Sequence, residues 1–434
     1  MLKNNFSIFA GKQLSTLFRV LNLGNGSTWP GHIALKVNKH FVRDVLKASN
    51  MQIIVIAGTN GKTTTSLMLK TILEKNTNKV FLNESGANLL NGIASSLILN
   101  TKKNTLPYDF AIFEVDENAL PKLLEEVTPD YLILLNLFRD QLDRYGEVRT
   151  IATKWKSVVE SLPSSVSLIL NADDPQIGFL GESTKAKVSY FGLEDINLHQ
   201  LKRDHAVDSL YCPRCQAPLT FTIHYYAHLG NWHCDSCGAK VSGLIYSKFP
   251  VFPLSGIYNR YNTLAATLTT SLIGIPESNS AKSLENFTPA FGRQEKLTFE
   301  GKNIQVFLSK NPTSFNQSLR TILELGAKHI LFVLNDRVAD GHDVSWIWDT
   351  DIEYAVTQFD HITVSGDRAY DMALRIKYTR DSTVDNGQLT IEADVKNAIH
   401  SALGHVLEDE TLFILPTYTA MLDVRKILTG KKIL

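Results

Sequence analysis

The stretch from Ile53 to Thr65 constrains the architecture of this chain more than any other. A mostly β-branched apolar run, Ile53-Ile54-Val55-Ile56-Ala57, ends in Gly58-Thr59-Asn60-Gly61. Lys62-Thr63-Thr64-Thr65 then lead into apolar positions at helical spacing: Leu67, Met68, Leu69, Ile72 and Leu73. That is a strand, a glycine-bounded turn and a helix. Backbone N–H groups in such a turn and at the helix N-terminus cradle phosphate, the lysine reaches the terminal phosphates, and the first threonine hydroxyl can bind Mg²⁺. The loop is not the general G-x-x-x-x-G-K-[ST], because Ile56 stands at the first glycine position. Gly58, Thr59, Asn60, Gly61, Lys62, Thr63 and Thr64 are the resulting candidates for nucleotide binding.

Around this unit, strand and helix patterns alternate. Strands are expected at Lys79 to Leu82, Phe110 to Val115, Tyr131 to Leu137, Val166 to Leu170 and Val188 to Phe191, with helical patterns between most of them. Such alternation predicts a parallel α/β sheet. A helical stretch, Leu14 to Leu23, lies within the 50 residues that come first. Beyond Gly292-Arg293 a second alternation runs through Ile304 to Leu308, a helix to Leu325, His329 to Leu334, His361 to Ser365, Leu389 to Ala393 and Thr411 to Leu415. This predicts a smaller doubly wound domain. At 434 residues the chain is long enough for two or three cores. The expected division is an N-terminal segment 1–50, a central α/β domain 51–295 interrupted by an insert at 196–245, and a Rossmann-like α/β domain 296–434.

The insert carries all four cysteines. Cys212-x-x-Cys215 and Cys234-x-x-Cys237 are separated by 18 residues, the spacing of a zinc ribbon. Four thiolates close a tetrahedral site and leave no open position, so the zinc is expected to be structural. His224, His228 and His233 lie between the pairs and are expected to pack rather than ligate. With every cysteine used here, none is left as a nucleophile, and ammonia derived from glutamine would have to come from another subunit.

Two further runs carry ionisable groups. Phe113-Glu114-Val115-Asp116-Glu117 ends an apolar strand in acids, and ligands gather at the carboxyl ends of parallel strands. Glu114 or its neighbours can therefore hold Mg²⁺ beside the phosphates; a solvated strand end is the alternative. Leu334 to Asp349 follows a strand of the second alternation and concentrates acids, a histidine and two tryptophans. There Asp336 can touch a ribose, and Asp343 and Asp349 can orient or deprotonate an incoming amine.

Charge balances at 44 basic against 44 acidic residues, so no global field draws the chain to nucleic acid or to a membrane. The first residues lack the apolar core of a signal peptide, and no run of about 18 apolar residues occurs. A cytoplasmic protein that is not integral to a membrane is expected.

Taken together, these motifs resemble the Mur ligase superfamily, and within it the MurT-type subunits of lipid II isoglutaminyl synthases. The resemblance rests on Gly58-Thr59-Asn60-Gly61-Lys62-Thr63-Thr64, the four-cysteine insert, Asn136-Leu137-Phe138-Arg139-Asp140-Gln141-Leu142-Asp143-Arg144-Tyr145-Gly146-Glu147, and Asp340-Gly341-His342-Asp343-Val344-Ser345-Trp346-Ile347-Trp348-Asp349. It extends from about Trp29 to the C-terminus. Gly256-Ile257-Tyr258-Asn259-Arg260-Tyr261-Asn262 resembles an element whose asparagines open a helix near the nucleotide base, which implies that role for Asn259 and Asn262. Phe291-Gly292-Arg293-Gln294-Glu295 resembles a Gly-Arg-x-Glu element and implies that Arg293 contacts the nucleotide.

Two features depart from ordinary Mur ligases. About 50 residues before the phosphate loop leave no room for their UDP-sugar-binding domain. Their Asp-Tyr-Ala-His-x-Pro stretch is replaced by Leu308-Ser309-Lys310-Asn311-Pro312-Thr313-Ser314-Phe315-Asn316. The resemblance implies ATP-dependent amidation of the D-glutamate α-carboxylate in lipid II to D-isoglutamine through an acyl phosphate. It implies ammonia from a separate glutamine amidotransferase subunit of GatD type. ATP and Mg²⁺ are the implied cofactors, with Lys62 stabilising the phosphoryl group. The family's essential C-terminal aspartate falls on Asp349, supported by Asp343 and His342. The lipid II acceptor places the work in the cytoplasm or at the inner face of the membrane.

Rival readings are a folylpolyglutamate synthase-like amino-acid ligase, a zinc-ribbon nucleic-acid binder and a regulatory ATPase. The cysteine insert and the changed Asp-Tyr-Ala-His stretch argue against the first, and neutral charge argues against the second.

Overall fold

The structure, a computed structural model, describes residues 7–13, 28–83, 87–102, 105–140, 148–379 and 388–431. The helical stretch expected at Leu14 to Leu23 and the end of the polar run, Gln141 to Glu147, lie outside the described residues.

The first alternation forms β1 (Gln52–Ala57), β2 (Val80–Leu82), β3 (Phe110–Val115), β4 (Tyr131–Leu134), β5 (Ser167–Asn171) and β6 (Lys187–Phe191). A hairpin, β7 (Thr220–Tyr226) and β8 (Leu229–His233), precedes the short β9 (Ile245–Tyr246). Seven strands lie in the order β2-β3-β1-β4-β5-β6-β9, and every pair in this sheet is parallel. The order reverses at β1, which has β3 on one side and β4 on the other. The phosphate loop thus leaves the sheet at its switch point, where helices diverge and leave a crevice for a ligand.

Both faces of β1 are covered. Ile53, Val55 and Ala57 join one core with Ile93, Leu97 and Trp155, while Ile54 and Ile56 join another with Met68, Leu69 and Leu264. An unbroken apolar run is what burial on two faces demands. The helix Lys62–Lys75 packs on the second face, beside the helix Ile257–Ile273.

The second sheet contains β10 (Arg293–Phe299), β11 (Lys302–Phe307), β12 (His329–Val333), β13 (His361–Ser365), β14 (Leu389–Ile391) and β15 (Thr411–Pro416), ordered β10-β11-β15-β12-β13-β14. β10 pairs antiparallel with β11, and the other pairs are parallel. The expectation of parallel strands thus holds for this sheet apart from its edge strand. β10 gave little strand signal in sequence, because its first four residues, Arg293-Gln294-Glu295-Lys296, are all polar and only Leu297 and Phe299 carry an apolar alternation. It begins at Arg293 and runs across residue 295. The loops after β11, β12 and β15, three adjacent strands, all open toward the phosphate loop.

Among the described residues no helix is long and apolar enough to cross a membrane.

Candidate active site

Gly58 and Gly61 make the phosphate loop possible. Their φ angles are +148° and +93°, and a Cβ on Gly61 would sit 2.1 Å from Asn262 Oδ1. Only glycine accepts both the angle and the close approach. Asn136, at the end of the next strand, locks the loop. Its Oδ1 accepts from Asn60 N at 2.9 Å, its Nδ2 donates to Asn60 O at 3.0 Å, and its backbone O accepts from Thr59 N at 3.0 Å.

The charged groups converge here. Lys62 Nζ donates to Gly58 O, to Thr59 O at 3.3 Å and to Glu117 Oε2 at 3.4 Å. Thr63 Oγ1 donates to Glu114 Oε2 at 2.9 Å and accepts from Arg293 Nη2 at 3.3 Å. Burial pushes the Glu114 carboxyl above its ordinary range, against the pull of Thr63, Arg293 and Lys62. Burial acts the same way on Glu117, but Lys62 and Lys310 outweigh it and hold that carboxyl below its ordinary range. Burial also lowers the Arg293 guanidinium, with Glu114 opposing. Glu114 and the Thr63 hydroxyl offer adjacent hard oxygens, the donor set that suits Mg²⁺.

Asn259 and Asn262 are buried one helical turn apart, with Asn262 Nδ2 donating to Asn259 Oδ1 at 3.0 Å. Asn259 is not the helix N-cap; Gly256 is, and Asn259 Nδ2 donates to Ser255 O at 2.7 Å.

These groups line one cavity of about 930 Å³ that has the phosphate loop on one wall and the second sheet on the other. Residues 59–64, Glu114, Glu117, Asn259, Asn262 and Arg293 form the first wall; Leu308, Lys310, Val338 and Tyr418 belong to the second. The walls are tied together. Asn311 caps the helix Pro312–Glu324 in a capping box with Ser314, and its Nδ2 donates across to Asn60 Oδ1 at 3.1 Å. A smaller cavity of about 70 Å³ adjoins, lined by Arg139, Asp140, Lys310, Asp340, Asp343 and Asp349 among others. Asp140 and Lys310, which form an ion pair, are the two residues common to both cavities.

The residues of the second wall expected from sequence are spread apart. Asp349 faces the small cavity and accepts from Arg139 Nη1 at 2.9 Å; Arg139 Nε also donates to Asp208 at 2.6 Å. Asp343 lines the same cavity but is exposed, and Ser345, through its hydroxyl and its N–H at 2.8 Å, holds that carboxyl below its ordinary range. Asp336 pairs with Arg368 at 3.2 Å, and His342 is exposed; neither lines either cavity.

Sequence reasoning had no role for Lys310, Asp140, Arg139 or Tyr226. Lys310 had a usable signal, since it follows the carboxyl end of a strand in the second sheet. Tyr226 had none. It is buried at the tip of the insert hairpin, stacked near Phe138 and edge-on to Tyr261, and it reaches the large cavity.

The four cysteines meet as expected. Their sulfurs all lie within 4.8 Å of one another, with Cys212–Cys237 at 3.6 Å and Cys215–Cys234 at 3.4 Å. Tetrahedral ligands at Zn–S distances of about 2.3 Å sit about 3.8 Å apart. The two knuckles repeat one design: Gln216 N donates to Cys212 O at 3.0 Å and Gly238 N to Cys234 O at 2.9 Å, with φ of +64° and +72° at Gln216 and Gly238. The cluster can hold a metal ion, and zinc fits it best. The histidines between the pairs point elsewhere: His224 bonds Ala227 O, His228 faces Asp174 and His233 faces Asp235.

A doubly covered parallel sheet, a phosphate loop at its switch point and a second α/β sheet closing the cleft are the architecture of a Mur-type ligase. The family model of the Mur ligase middle domain matches residues 56–270, and that of the MurT ligase C-terminal domain matches 308–421. The "Lipid II isoglutaminyl synthase (glutamine-hydrolyzing) subunit MurT" of Streptococcus pneumoniae is 31% identical, over 100% of this chain and 98% of its own. Its namesake from Staphylococcus aureus is 32% identical over 91% of each chain. In structure, a pseudomurein peptide ligase type C from Methanothermus fervidus superposes with a TM-score of 0.66 at 22% identity, covering 90% of this chain and 81% of that one; this likeness concerns the fold. The chain belongs to the MurT family of the Mur ligases.

Proposed function

We propose that this ligase amidates the α-carboxylate of the D-glutamyl residue in lipid II, giving D-isoglutamine, and spends ATP to do so. The cavity between the two walls carries this reading: it presents a phosphate loop with acids on one side and Lys310 on the other, in a chain similar end to end to MurT subunits. Gly58 to Thr64 would hold the ATP phosphates, with Asn259, Asn262 and Arg293 toward the nucleoside. Asp336 stays a candidate ribose contact only if its pair with Arg368 opens. Glu114 and Thr63 would hold Mg²⁺, which when bound neutralises phosphate charge.

The chemistry runs in two stages. The acceptor carboxylate takes the γ-phosphoryl group, with Lys62 stabilising charge as the bond to ADP breaks. Ammonia then attacks the acyl phosphate and phosphate leaves. Asp349, held by Arg139, is the catalytic candidate in the small cavity, with Asp343 as a supporting group; His342, which lines neither cavity, would join them only by moving toward the small one. All four cysteines of the chain sit in the metal cluster, so glutamine hydrolysis belongs to a separate amidotransferase subunit of GatD type. Zinc in that cluster is structural. The working units are a segment 1–50, a central domain 51–295 and a C-terminal domain 296–434, acting in the cytoplasm or at the inner membrane face on a lipid-linked acceptor.

The test is co-expression with the candidate amidotransferase, supply of lipid II, ATP, Mg²⁺ and glutamine, and mass spectrometry of the stem peptide. The expected product is lighter by the difference between an acid and an amide. An unchanged peptide, with free glutamate ligated to a folate instead, would replace this reading with the folylpolyglutamate synthase-like one.

A further inference from the structure

One buried acid has no role in the scheme above. The Asp140 side chain is 7% exposed, and its Oδ2 is taken by Lys310. Its Oδ1 is buried and has no hydrogen-bond partner among the described residues. A carboxylate oxygen stripped of water and left bare is costly, and native proteins keep one where a ligand or a reaction supplies the partner. This oxygen belongs to a residue shared by both cavities, at the junction of the phosphate site and the small cavity lined by Asp349.

We propose that Asp140 is the base that receives ammonia: its free Oδ1 accepts a hydrogen bond from the nitrogen and then takes a proton as that nitrogen attacks the acyl phosphate. The inference rests on the ligase reading above. Three observations select this ligand. The missing partner of Oδ1 is a hydrogen-bond donor. Lys310 already neutralises the other oxygen, which disfavours a second metal ion. The adjoining space of about 70 Å³ admits molecules of water size.

The step balances. The carbon–nitrogen bond forms, the bond from carbon to the phosphate oxygen breaks, and its electron pair leaves with phosphate. One N–H proton passes to Asp140 Oδ1 and then to the departing phosphate, which leaves as hydrogen phosphate. Lys310, Glu117 and Lys62 are the charged groups that bear on Asp140, and Arg139, Asp340, Asp343 and Asp349 line the small cavity with it. Burial raises the Asp140 carboxyl, with Lys310 opposing and Glu117 adding to the rise, a direction that suits a proton acceptor.

The experiment uses the full chain with its amidotransferase partner, lipid II and ATP, and compares two nucleophiles: an ammonium salt and hydroxylamine. The hydroxylamine adduct sheds its proton readily to water, so it needs no base. Asp140→Asn keeps the size of the side chain and an oxygen for Lys310. It is expected to lose about a hundredfold or more with ammonium while forming hydroxamate at nearly the unsubstituted rate. Asp140→Glu is expected to recover part of the ammonium rate. Equal losses with both nucleophiles would assign Asp140 to structure or to phosphorylation and overturn the proposal, as would no loss with ammonium. Absence of hydroxamate from the unsubstituted protein would overturn the ligase reading itself and this assignment with it.

Discussion

The two walls of the large cavity were read from the same sequence with different success. On the phosphate-loop wall, residues expected to act together do meet. Lys62, Thr63, Glu114, Asn262 and Arg293 all line one cavity, although Arg293 and Thr63 are 230 residues apart and 3.3 Å from each other. In the second domain the expected residues scatter: Asp349 and the exposed Asp343 line the small cavity, and Asp336 and His342 line neither. The lesson is about what a motif encodes. A glycine-bounded turn between a buried strand and a helix has little conformational choice, so sequence fixes where its side chains go. A long loop of acids has many choices, and long-range partners such as Arg139 and Arg368 settle each one.

Substitutions can break this contrast. The largest effect is expected for Lys62→Ala, which removes the cation facing the phosphates; amide formation should fall by a hundredfold or more, about the cost of deleting one group that stabilises transition-state charge. A fall below about tenfold would mean that the first wall does not act on phosphate. Next comes Asp349→Asn, which weakens the contact with Arg139. It is expected to lower amide formation by about ten- to a hundredfold, the loss of one charge-assisted group, while leaving nucleotide affinity near its starting value. A parallel loss of nucleotide affinity would move Asp349 into the nucleotide site. The smallest effects are expected for Asp336→Ala and His342→Ala, each within about 0.5 kcal/mol in stability and with little change in turnover. A large loss of turnover in Asp336→Ala would show that its pair with Arg368 opens during the reaction and would sharpen the account of the second wall.

Acid should also separate neighbouring groups. Glu117 has a carboxyl held below its ordinary value of 4.5, so its ionised form stabilises the fold above that value and the contribution is lost as pH falls through the lowered pKa. Glu114 is raised above 4.5, so its ionisation costs stability as pH rises from 4.5 through the raised value. Mg²⁺ needs the ionised form, and its affinity is expected to weaken on acidification while Glu117 still pairs with Lys62. Mg²⁺ titrations across pH, followed by calorimetry, check the order of the two losses.

Much of the fold was legible because burial on two faces leaves apolar runs, as in β1, β3 and β12. What was hidden has physical reasons. β10 is an antiparallel edge strand with a mixed pattern, and β9 is two residues long. The hairpin of the insert brings Tyr226 to the nucleotide cavity through a contact with Phe138 that no local pattern announces. Asp140 and Lys310 are 170 residues apart, and their pairing across the cleft follows only from the meeting of two sheets. The meeting of the four cysteines was legible, because C-x-x-C knuckles fold the same way wherever they occur.

The central claim is that the nucleotide site is the cavity enclosed by both walls. Hydrogen exchange with and without an ATP analogue and Mg²⁺ tests it directly. The account predicts slowed exchange in the phosphate loop at 58–65 and, in the same experiment, across the cavity at 308–318. Protection confined to the phosphate loop, with 308–318 exchanging as before, would contradict it.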